Sequence, residues 1–163
     1  MIGFGLIVGH LVGDFILQFD YLAKNKSNPF PKTWYRPNTT YPHQGGDGAE
    51  YSITTPGTPE DAQEWDETRR NCRIGHIACF IHCLIYTLCV WAFSFWWMPA
   101  WGLAVVFGTH FPIDRWRLAR RYMVHISGQK DFATGPLSPW SIIVVDQVFH
   151  LIVLFVVGIC QLR

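Results

Sequence analysis

The sequence is poor in charged residues, and this separates it from the usual soluble domain. Charged residues make up 15% of the 163 residues, whereas soluble domains carry about 25%. Half of the residues are hydrophobic, and they are grouped into runs with no helical period. This grouping indicates membrane-spanning segments rather than the amphipathic core helices of a soluble protein.

Several functional signatures are also missing. The formal net charge is +1, so no excess of positive charge indicates a nucleic-acid partner. The five cysteines include no CxxC pair, and no GxSxG, HExxH or Walker motif occurs. The N-terminal run lacks a basic segment and an AxA-like cleavage site, so we expect a membrane span there rather than a signal peptide.

Four hydrophobic segments predict the fold. Segment 101–116 leads into the basic stretch "RWRLARR", and segment 139–160 begins with a proline suited to a first helical turn. We therefore expect an all-α fold, an integral membrane four-helix bundle with a long irregular cytoplasmic loop between helices 1 and 2. The four spans are 1–19, 75–97, 101–116 and 139–160. The chain then divides into a first transmembrane helix (1–24), a cytoplasmic polar loop (25–74) and three further transmembrane helices (75–163), which form one membrane domain with 1–24.

The basic residues predict the orientation in the membrane. Of the 13 lysines and arginines, all but Arg163 lie in segments 20–74 or 115–130, which fall on the same side. The positive-inside rule makes that side cytoplasmic, so both termini should face outward. We expect a multi-pass protein of the bacterial inner (cytoplasmic) membrane, in contact with membrane lipids.

Segment 25–74 differs in composition from the rest of the chain. It is rich in proline, glycine and threonine, and only "PEDAQEWDETRRN" has the pattern of a helix. One interpretation is a flexible linker. The other is that its aromatic side chains pack on the membrane surface or on an integral membrane protein partner in a larger complex.

Ionisable residues interrupt all four hydrophobic segments, in pairs four residues apart. Burying such groups in hydrocarbon costs about 2.5–3.5 kcal/mol each, so they normally face a protein interior or water. Residues four apart share a helix face, so each pair points in one direction. The pairs are His10 with Asp14, His82 with Tyr86, His110 with Asp114, and Asp146 with His150.

Imidazole and carboxylate groups from facing helices are the usual ligands of a metal site in a bundle. The sequence therefore predicts a divalent metal centre, with zinc as the expected metal. Its predicted ligands are His10, Asp14, His82, His110, Asp114, Asp146 and His150. Gln18, Tyr86 and Gln147 are predicted to orient these ligands by hydrogen bonding. The alternatives are metal-free: His–Asp pairs that hold the helices together, or a proton relay.

Four motifs carry a resemblance to a known family: "HLVGDFILQFDYLAKNK", "HCLIYTL", "THFPIDRWR" and "DQVFHL". The chain resembles a family of small bacterial and phage membrane proteins whose function is unknown. The resemblance implies that the family's polar positions are His10, Asp14, Gln18, Lys24, His82, Asp114, Asp146, Gln147 and His150, and His110 also fits. The chain is more distantly similar to membrane-bound metal-dependent hydrolases. It departs from the family in its cytoplasmic loop, which is longer than the usual connection.

Two functions follow as hypotheses. The first is a membrane protein with an intramembrane His/Asp metal cluster, acting as a hydrolase on a lipid or another amphiphile. The second is a non-enzymatic subunit that docks a larger assembly through residues 25–74 and its aromatic ends. A proton or metal conduit is a weaker hypothesis, because the outer halves of segments 75–97 and 139–160 carry almost no polar groups.

Overall fold

A computed structural model of the chain describes residues 2–44, 50–95 and 97–161. The described part is mostly helical, and it also contains one two-stranded antiparallel sheet. A π-helical segment, Val12–Ile16, continues the first helix. The strands are β1 (Thr40–Gln44) and β2 (Glu50–Thr54). The helices are α1 (Ile2–Leu11), α2 (Asp20–Asn25), α3 (Pro59–Phe93), α4 (Ala100–Arg115), α5 (Leu118–His125), α6 (Lys130–Thr134) and α7 (Ser138–Gln161).

The chain divides into two compact units. One unit combines Met1–Ser27 with Gly75–Arg163, and the other is Asn28–Ile74. In the first unit, side chains from α1, α3, α4 and α7 share one apolar core. Its buried members are Leu6, Tyr86, Val90, Met98, Val106, Leu154 and Val157.

Glycines allow α1 to pack closely against α3. A Cβ atom added at Gly9 would lie 2.8 Å from the Cα of Val90, and one at Gly13 would lie 3.0 Å from the Cα of Tyr86. Neither separation leaves room for a side chain. The Gly9–Gly13 pair is thus a small-xxx-small contact.

Helix α3 is longer than the sequence predicts, because the helical pattern beginning at Pro59 and the hydrophobic segment 75–97 form one continuous helix. A capping box starts it: Thr58 Oγ1 accepts a hydrogen bond from Asp61 N at 3.2 Å, and Asp61 Oδ2 accepts one from Thr58 N at 2.7 Å. These bonds from Thr58 hold the pKa of Asp61 below its usual range. Between residue 60 and Phe93 there is no proline, and Gly75 is the single glycine, so no strong helix breaker ends the helix earlier. The helix ends at Phe93, before the end of the predicted span at residue 97. Trp96, in the aromatic end of that span, lies outside the described residues.

The prediction of an irregular loop over residues 25–74 is wrong, because the second unit contains a β-hairpin. Strands β1 and β2 pair with Thr40 opposite Thr54 and Pro42 opposite Ser52. This unit also contains the beginning of α3, to which Arg36 is tied by an ion pair with Asp66 at 2.7 Å. Hydrogen bonding to Arg36 lowers the pKa of Asp66. The hairpin was missed because its alternation of Thr, Tyr and Ile is short and is interrupted by Pro42.

Two of the four predicted spans satisfy a length and composition criterion for crossing a membrane, namely those within α3 and α7. The apolar helix Gly3–Ile16 is shorter. Helix α4 has 16 residues, which corresponds to about 24 Å against a hydrocarbon thickness of about 30 Å. Helix α1 is short because the backbone changes to π-helix after Leu11. Helix α4 ends at Arg115, two residues before Arg117 adopts a left-handed backbone with φ of 50°.

Candidate metal centre

The π-helical end of α1 positions the first carboxylate. Leu17 N donates to Val12 O at 2.9 Å, a bond that spans five residues and widens the helix around Asp14. His10 lies in the preceding turn, with its Nδ1 atom 3.6 Å from Asp14 Oδ2. Both residues are buried, so α1 presents its pair to the interior of the first unit. Segments of π-helix are frequent at functional sites.

Helices α4 and α7 present their pairs in the same way. His110 Nε2 lies 3.3 Å from Asp114 Oδ2, and His150 Nε2 lies 3.4 Å from Asp146 Oδ2. His110, Asp114 and His150 are buried, whereas the side chain of Asp146 is 21% exposed. The predicted sharing of one helix face within each of these pairs is confirmed.

His82 on α3 joins the pairs from α1 and α4. Its Nε2 atom lies 3.2 Å from Asp14 Oδ1, 3.2 Å from Asp114 Oδ2 and 3.0 Å from His110 Nε2. His82 is fully buried, and Asp14, His110 and Asp114 are also buried, so these four donor atoms meet in the interior of the first unit. Residues that are up to 100 positions apart in the sequence therefore meet at one point.

Two overlapping groups of donor atoms are close enough to hold a metal ion. One consists of Asp14, His82 and His110, and the other of His110, Asp114 and His150, with all five residues buried. In each group the candidate ligand atoms lie within 4.8 Å of one another. The buried His/Asp cluster could therefore bind metal.

Several buried polar atoms of this cluster have no hydrogen-bond partner in the described part of the chain. They include Asp14 Oδ1 and His150 Nε2, together with the Nδ1 atoms of His82 and His110. Buried polar atoms are nearly always satisfied in folded proteins. A cation bound at the donor groups would satisfy Asp14 Oδ1 and His150 Nε2, so the donor set fits a metal ion. The Nδ1 atoms lie across each ring from the Nε2 atoms that face the site, and such a cation does not satisfy them.

Aromatic stacking restrains the imidazole rings. The ring of His110 stacks between those of Tyr86, at 3.8 Å, and His150, at 4.0 Å between centroids. The Tyr86 hydroxyl also forms a 3.0 Å hydrogen bond with His10 Nδ1. Tyr86 therefore fixes two histidines, and this position was predicted to act through hydrogen bonding.

Polar side chains around the cluster contact the carboxylates. Gln147 Nε2 donates to Asp14 Oδ2 at 3.0 Å, as expected for a residue that orients a ligand. Gln18 does not bond a carboxylate directly, because its Oε1 atom accepts from Lys26 Nζ at 2.9 Å. Lys26 in turn donates to Asp114 Oδ2 at 2.8 Å.

Lys26 is the cluster residue that sequence reasoning missed. The resemblance pointed to Lys24, which is exposed in the structure, whereas Lys26 Nζ lies 3.4 Å from His82 Nε2. A lysine two residues along was not distinguishable by pattern, because its contact with Asp114 spans 88 residues of sequence.

The structure places all seven predicted ligands in one connected cluster. Five of them belong to the two compact donor groups, while His10 and Asp146 lie at the edge and contact the cluster through their own helix partners. That each residue binds a metal ion stays a prediction.

Comparison with known proteins gives a family and no function. No curated protein and no solved structure matches the chain. The family described as "Protein of unknown function (DUF3307)" matches residues 61–162. This range contains His82, His110, Asp114, Asp146 and His150, and the N-terminal motif with His10 and Asp14 precedes it. The match covers more than half of the chain, which therefore belongs to this family of unknown function.

Proposed function

We propose that the chain is a polytopic membrane protein that binds a divalent metal ion in the His/Asp cluster and supports hydrolysis of a lipid or another amphiphile. One observation carries the metal proposal: Asp14 Oδ1, His82 Nε2, His110 Nε2 and Asp114 Oδ2 approach one another at 3.0–3.6 Å over the five separations that involve a histidine.

These separations match a zinc coordination shell. Zinc binds imidazole nitrogen and carboxylate oxygen at about 2.0–2.2 Å in tetrahedral geometry, which places neighbouring ligand atoms about 3.3–3.6 Å apart. The five separations that involve a histidine are therefore close to those between the ligand atoms of a zinc ion. Two histidines and two carboxylates also suit Zn²⁺ better than the all-oxygen sites of Mg²⁺ or Ca²⁺.

Charge balance supports a divalent cation as well. Asp14, Asp114 and Asp146 carry three negative charges, and within the described cluster Lys26 supplies the compensating ammonium group. With neutral histidines, two negative charges remain in a largely buried site. Buried charges are costly unless they are paired or coordinate a metal, and one divalent cation would neutralise this pair.

Exposed apolar surface supports the membrane location. In the most apolar window, 17% of α7 and 39% of α3 is buried, so most of each window faces outward. Large side chains of α7 such as Phe155 and Trp140 are 67% and 70% exposed. Such a surface is suited to lipid and would be costly in water. We place the chain in the bacterial inner membrane as a four-helix bundle, with both termini outward and residues 25–74 cytoplasmic.

A bound Zn²⁺ would lower the pKa of a coordinated water to about 7 and so supply a nucleophile for hydrolysis. The chain's own contribution is positional. Asp146 is the partly exposed carboxylate of the cluster and lies beside buried His150, so it is the group placed to hold a proton from the reaction.

Metal content tests this proposal. Elemental analysis of the purified unmutated protein should show stoichiometric zinc, and His82→Ala or Asp114→Asn should lose it. The matched control is His125→Ala, because His125 is an exposed histidine outside the cluster. The proposal fails if the unmutated protein contains no transition metal after reconstitution, or if the cluster variants retain as much as the control.

A second candidate function is a non-enzymatic subunit that docks a membrane protein assembly through residues 25–74. The exposed aromatic side chains of this unit favour it: Trp34 is 96% exposed and Tyr35 is 68% exposed. Aromatic residues are enriched in protein interfaces. Under this alternative, Trp34→Ser with Tyr35→Ser removes a co-purifying membrane partner and leaves the metal content unchanged.

A further inference from the structure

A cavity of about 390 Å³ lies directly beside the metal cluster. Asp14, Asp114 and Asp146 line one part of it, and Lys26, Arg117 and Arg120 line another. Lys26 is already paired with Asp114. Arg117 and Arg120 are exposed and form no ion pair with the described acidic residues. The cavity therefore offers two free guanidinium groups next to the proposed metal.

The backbone around Arg117 adds to this positive region. Arg117 has a left-handed conformation with φ of 50° and precedes α5, whose first turn contains no acidic residue and no side-chain cap. The N–H groups of that turn are available to an anion, and Ala119 of the same turn lines the cavity. Paired guanidinium groups beside a helix N-terminus are the usual recognition chemistry of phosphate.

A second cavity, of about 440 Å³, lies between α1 and α7. All of its lining residues are apolar or glycine, and they belong to α1 and α7. The helices run antiparallel, because Gln147 contacts Asp14 while Gly158 faces Leu6. On α7, the lining residues change from 142–147 in the polar cavity to 151–159 in the apolar groove.

The distance between the two cavities suits a lipid. About ten residues separate their centres along α7, which corresponds to about 15 Å. This equals about half of the hydrocarbon thickness, the depth that the acyl chains of one leaflet occupy. A molecule with a phosphate in the first cavity can thus place one acyl chain in the second.

We propose that the polar cavity and the α1/α7 groove together bind one anionic phospholipid, with its phosphate at Arg117 and Arg120 and one acyl chain between α1 and α7. This inference rests on the proposed metal centre, since the three carboxylates of the cavity repel a phosphate unless a cation lies between them. It names the substrate class of the site as a phosphate-bearing lipid.

The probe is dioleoyl phosphatidic acid, titrated against the full-length zinc-loaded protein in detergent and detected by native mass spectrometry. Arg117→Asn with Arg120→Gln should weaken binding at least about tenfold, as expected for loss of charge-assisted hydrogen bonds. Asparagine suits position 117 because it tolerates the left-handed backbone. Dioleoylglycerol, which lacks the phosphate, and inorganic phosphate, which lacks the chains, should each bind at least about tenfold more weakly than phosphatidic acid.

A groove variant tests the acyl-chain position separately. A Cβ atom at Gly158 would lie 3.4 Å from Leu6 Cδ1, so Gly158→Leu fits the backbone and fills the groove. It should also weaken phosphatidic acid binding about tenfold. The control is Gly108→Leu on α4, where an added Cβ has no neighbour within 4 Å and no cavity is filled.

Zinc content, measured on every variant, separates this inference from the proposed function. If the arginine variant keeps its zinc and binds phosphatidic acid as tightly as the unmutated protein, the lipid site is wrong and the metal proposal stands. The lipid site is also wrong if dioleoylglycerol binds equally well, or if the groove variant behaves like its control. If neither the unmutated protein nor any variant contains zinc but the binding differences persist, the metal proposal fails, and the lipid site is right in its position but wrong in needing a cation.

Discussion

Asp114 contacts histidines from three helices of the cluster. It lies within 3.5 Å of nitrogen atoms from His82, His110, His150 and Lys26. The shortest of these contacts, at 2.8 Å, is the one with Lys26. The ammonium group therefore occupies part of the space in which a metal ion would contact this carboxylate.

Replacing Lys26 by methionine should strengthen metal binding. The ammonium group repels a divalent cation and competes for Asp114, and two like charges about 4 Å apart interact by several kcal/mol near a protein surface. We expect zinc affinity to rise about tenfold or more, measured by competition with a chelator of known affinity.

Lys24→Met is the matched control, because Lys24 is exposed and only two residues away. Its zinc affinity should equal that of the unmutated protein. A weaker affinity in Lys26→Met would contradict competition and would mean that Lys26 is needed to hold Asp114 in place.

At the scale of single residues, sequence reasoning reached the local part of the site. The spacing of four predicts that His110 and Asp114 share a helix face, because helical geometry alone determines it. It does not predict the bond between Lys26 and Asp114. That contact depends on how the chain turns after Phe19, which adopts an extended conformation before α2.

At the scale of elements, close packing of α1 on α3 places Asp14 next to His82. Glycines at positions 5, 9 and 13 lie on one face of α1 and contact the backbone of α3 near Phe93, Val90 and Tyr86. Any side chain there pushes the two helices apart. The His/Asp cluster depends on this contact, since His82 Nε2 and Asp14 Oδ1 are 3.2 Å apart.

Gly9→Ala should therefore destabilise the protein and weaken metal binding. Its Cβ would lie 2.8 Å from Val90 Cα, and overpacking of this kind costs about 1–3 kcal/mol. Thermal unfolding followed by circular dichroism in detergent measures the loss, and zinc affinity measures the displacement of Asp14.

Gly3→Ala is the appropriate comparison on the same helix, because an added Cβ there meets nothing within 4 Å. Alanine is also a better helix former than glycine by about 1 kcal/mol. This variant should keep or slightly raise the unfolding temperature. Equal unfolding temperatures for the two variants would show that α1 and α3 are not held this closely.

The elements themselves were only partly predictable. The hydrophobic run 139–160 predicts α7 to within one residue at each end. A long apolar segment in a membrane has to form a helix, because its backbone groups find no other hydrogen-bond partners there. The π-helical segment around Asp14 was not predictable, because no residue pattern distinguishes it from ordinary helix. The hairpin of β1 and β2 was missed for a related reason, since its pairing depends on register and not on composition.

At the scale of the whole molecule, charge and apolar surface are separated along the chain. The apolar window of α7 is largely exposed, and the basic residues are concentrated in segments 20–74 and 115–130. In the proposed membrane location, the exposed apolar surface of α7 contacts lipid, and the two basic segments lie on the cytoplasmic side. Together they support the proposed topology, in which both termini lie on one side of the membrane.

The orientation can be tested with reporters at the C-terminus. Alkaline phosphatase is active only outside the cytoplasm, whereas green fluorescent protein does not fluoresce when it is exported in unfolded form. With each reporter fused separately after residue 163, we therefore expect phosphatase activity and no fluorescence.

The charge rule also predicts how to reverse this result. Replacing Arg117, Arg120 and Arg121 by glutamine while adding lysines after residue 163 moves the positive charge to the other end of α7, and the fluorescent reporter should then gain signal. Fluorescence from the unmutated fusion would place the C-terminus in the cytoplasm. The cluster would then lie in the outer half of the membrane, and the lipid bound at Arg117 would have to come from the opposite leaflet.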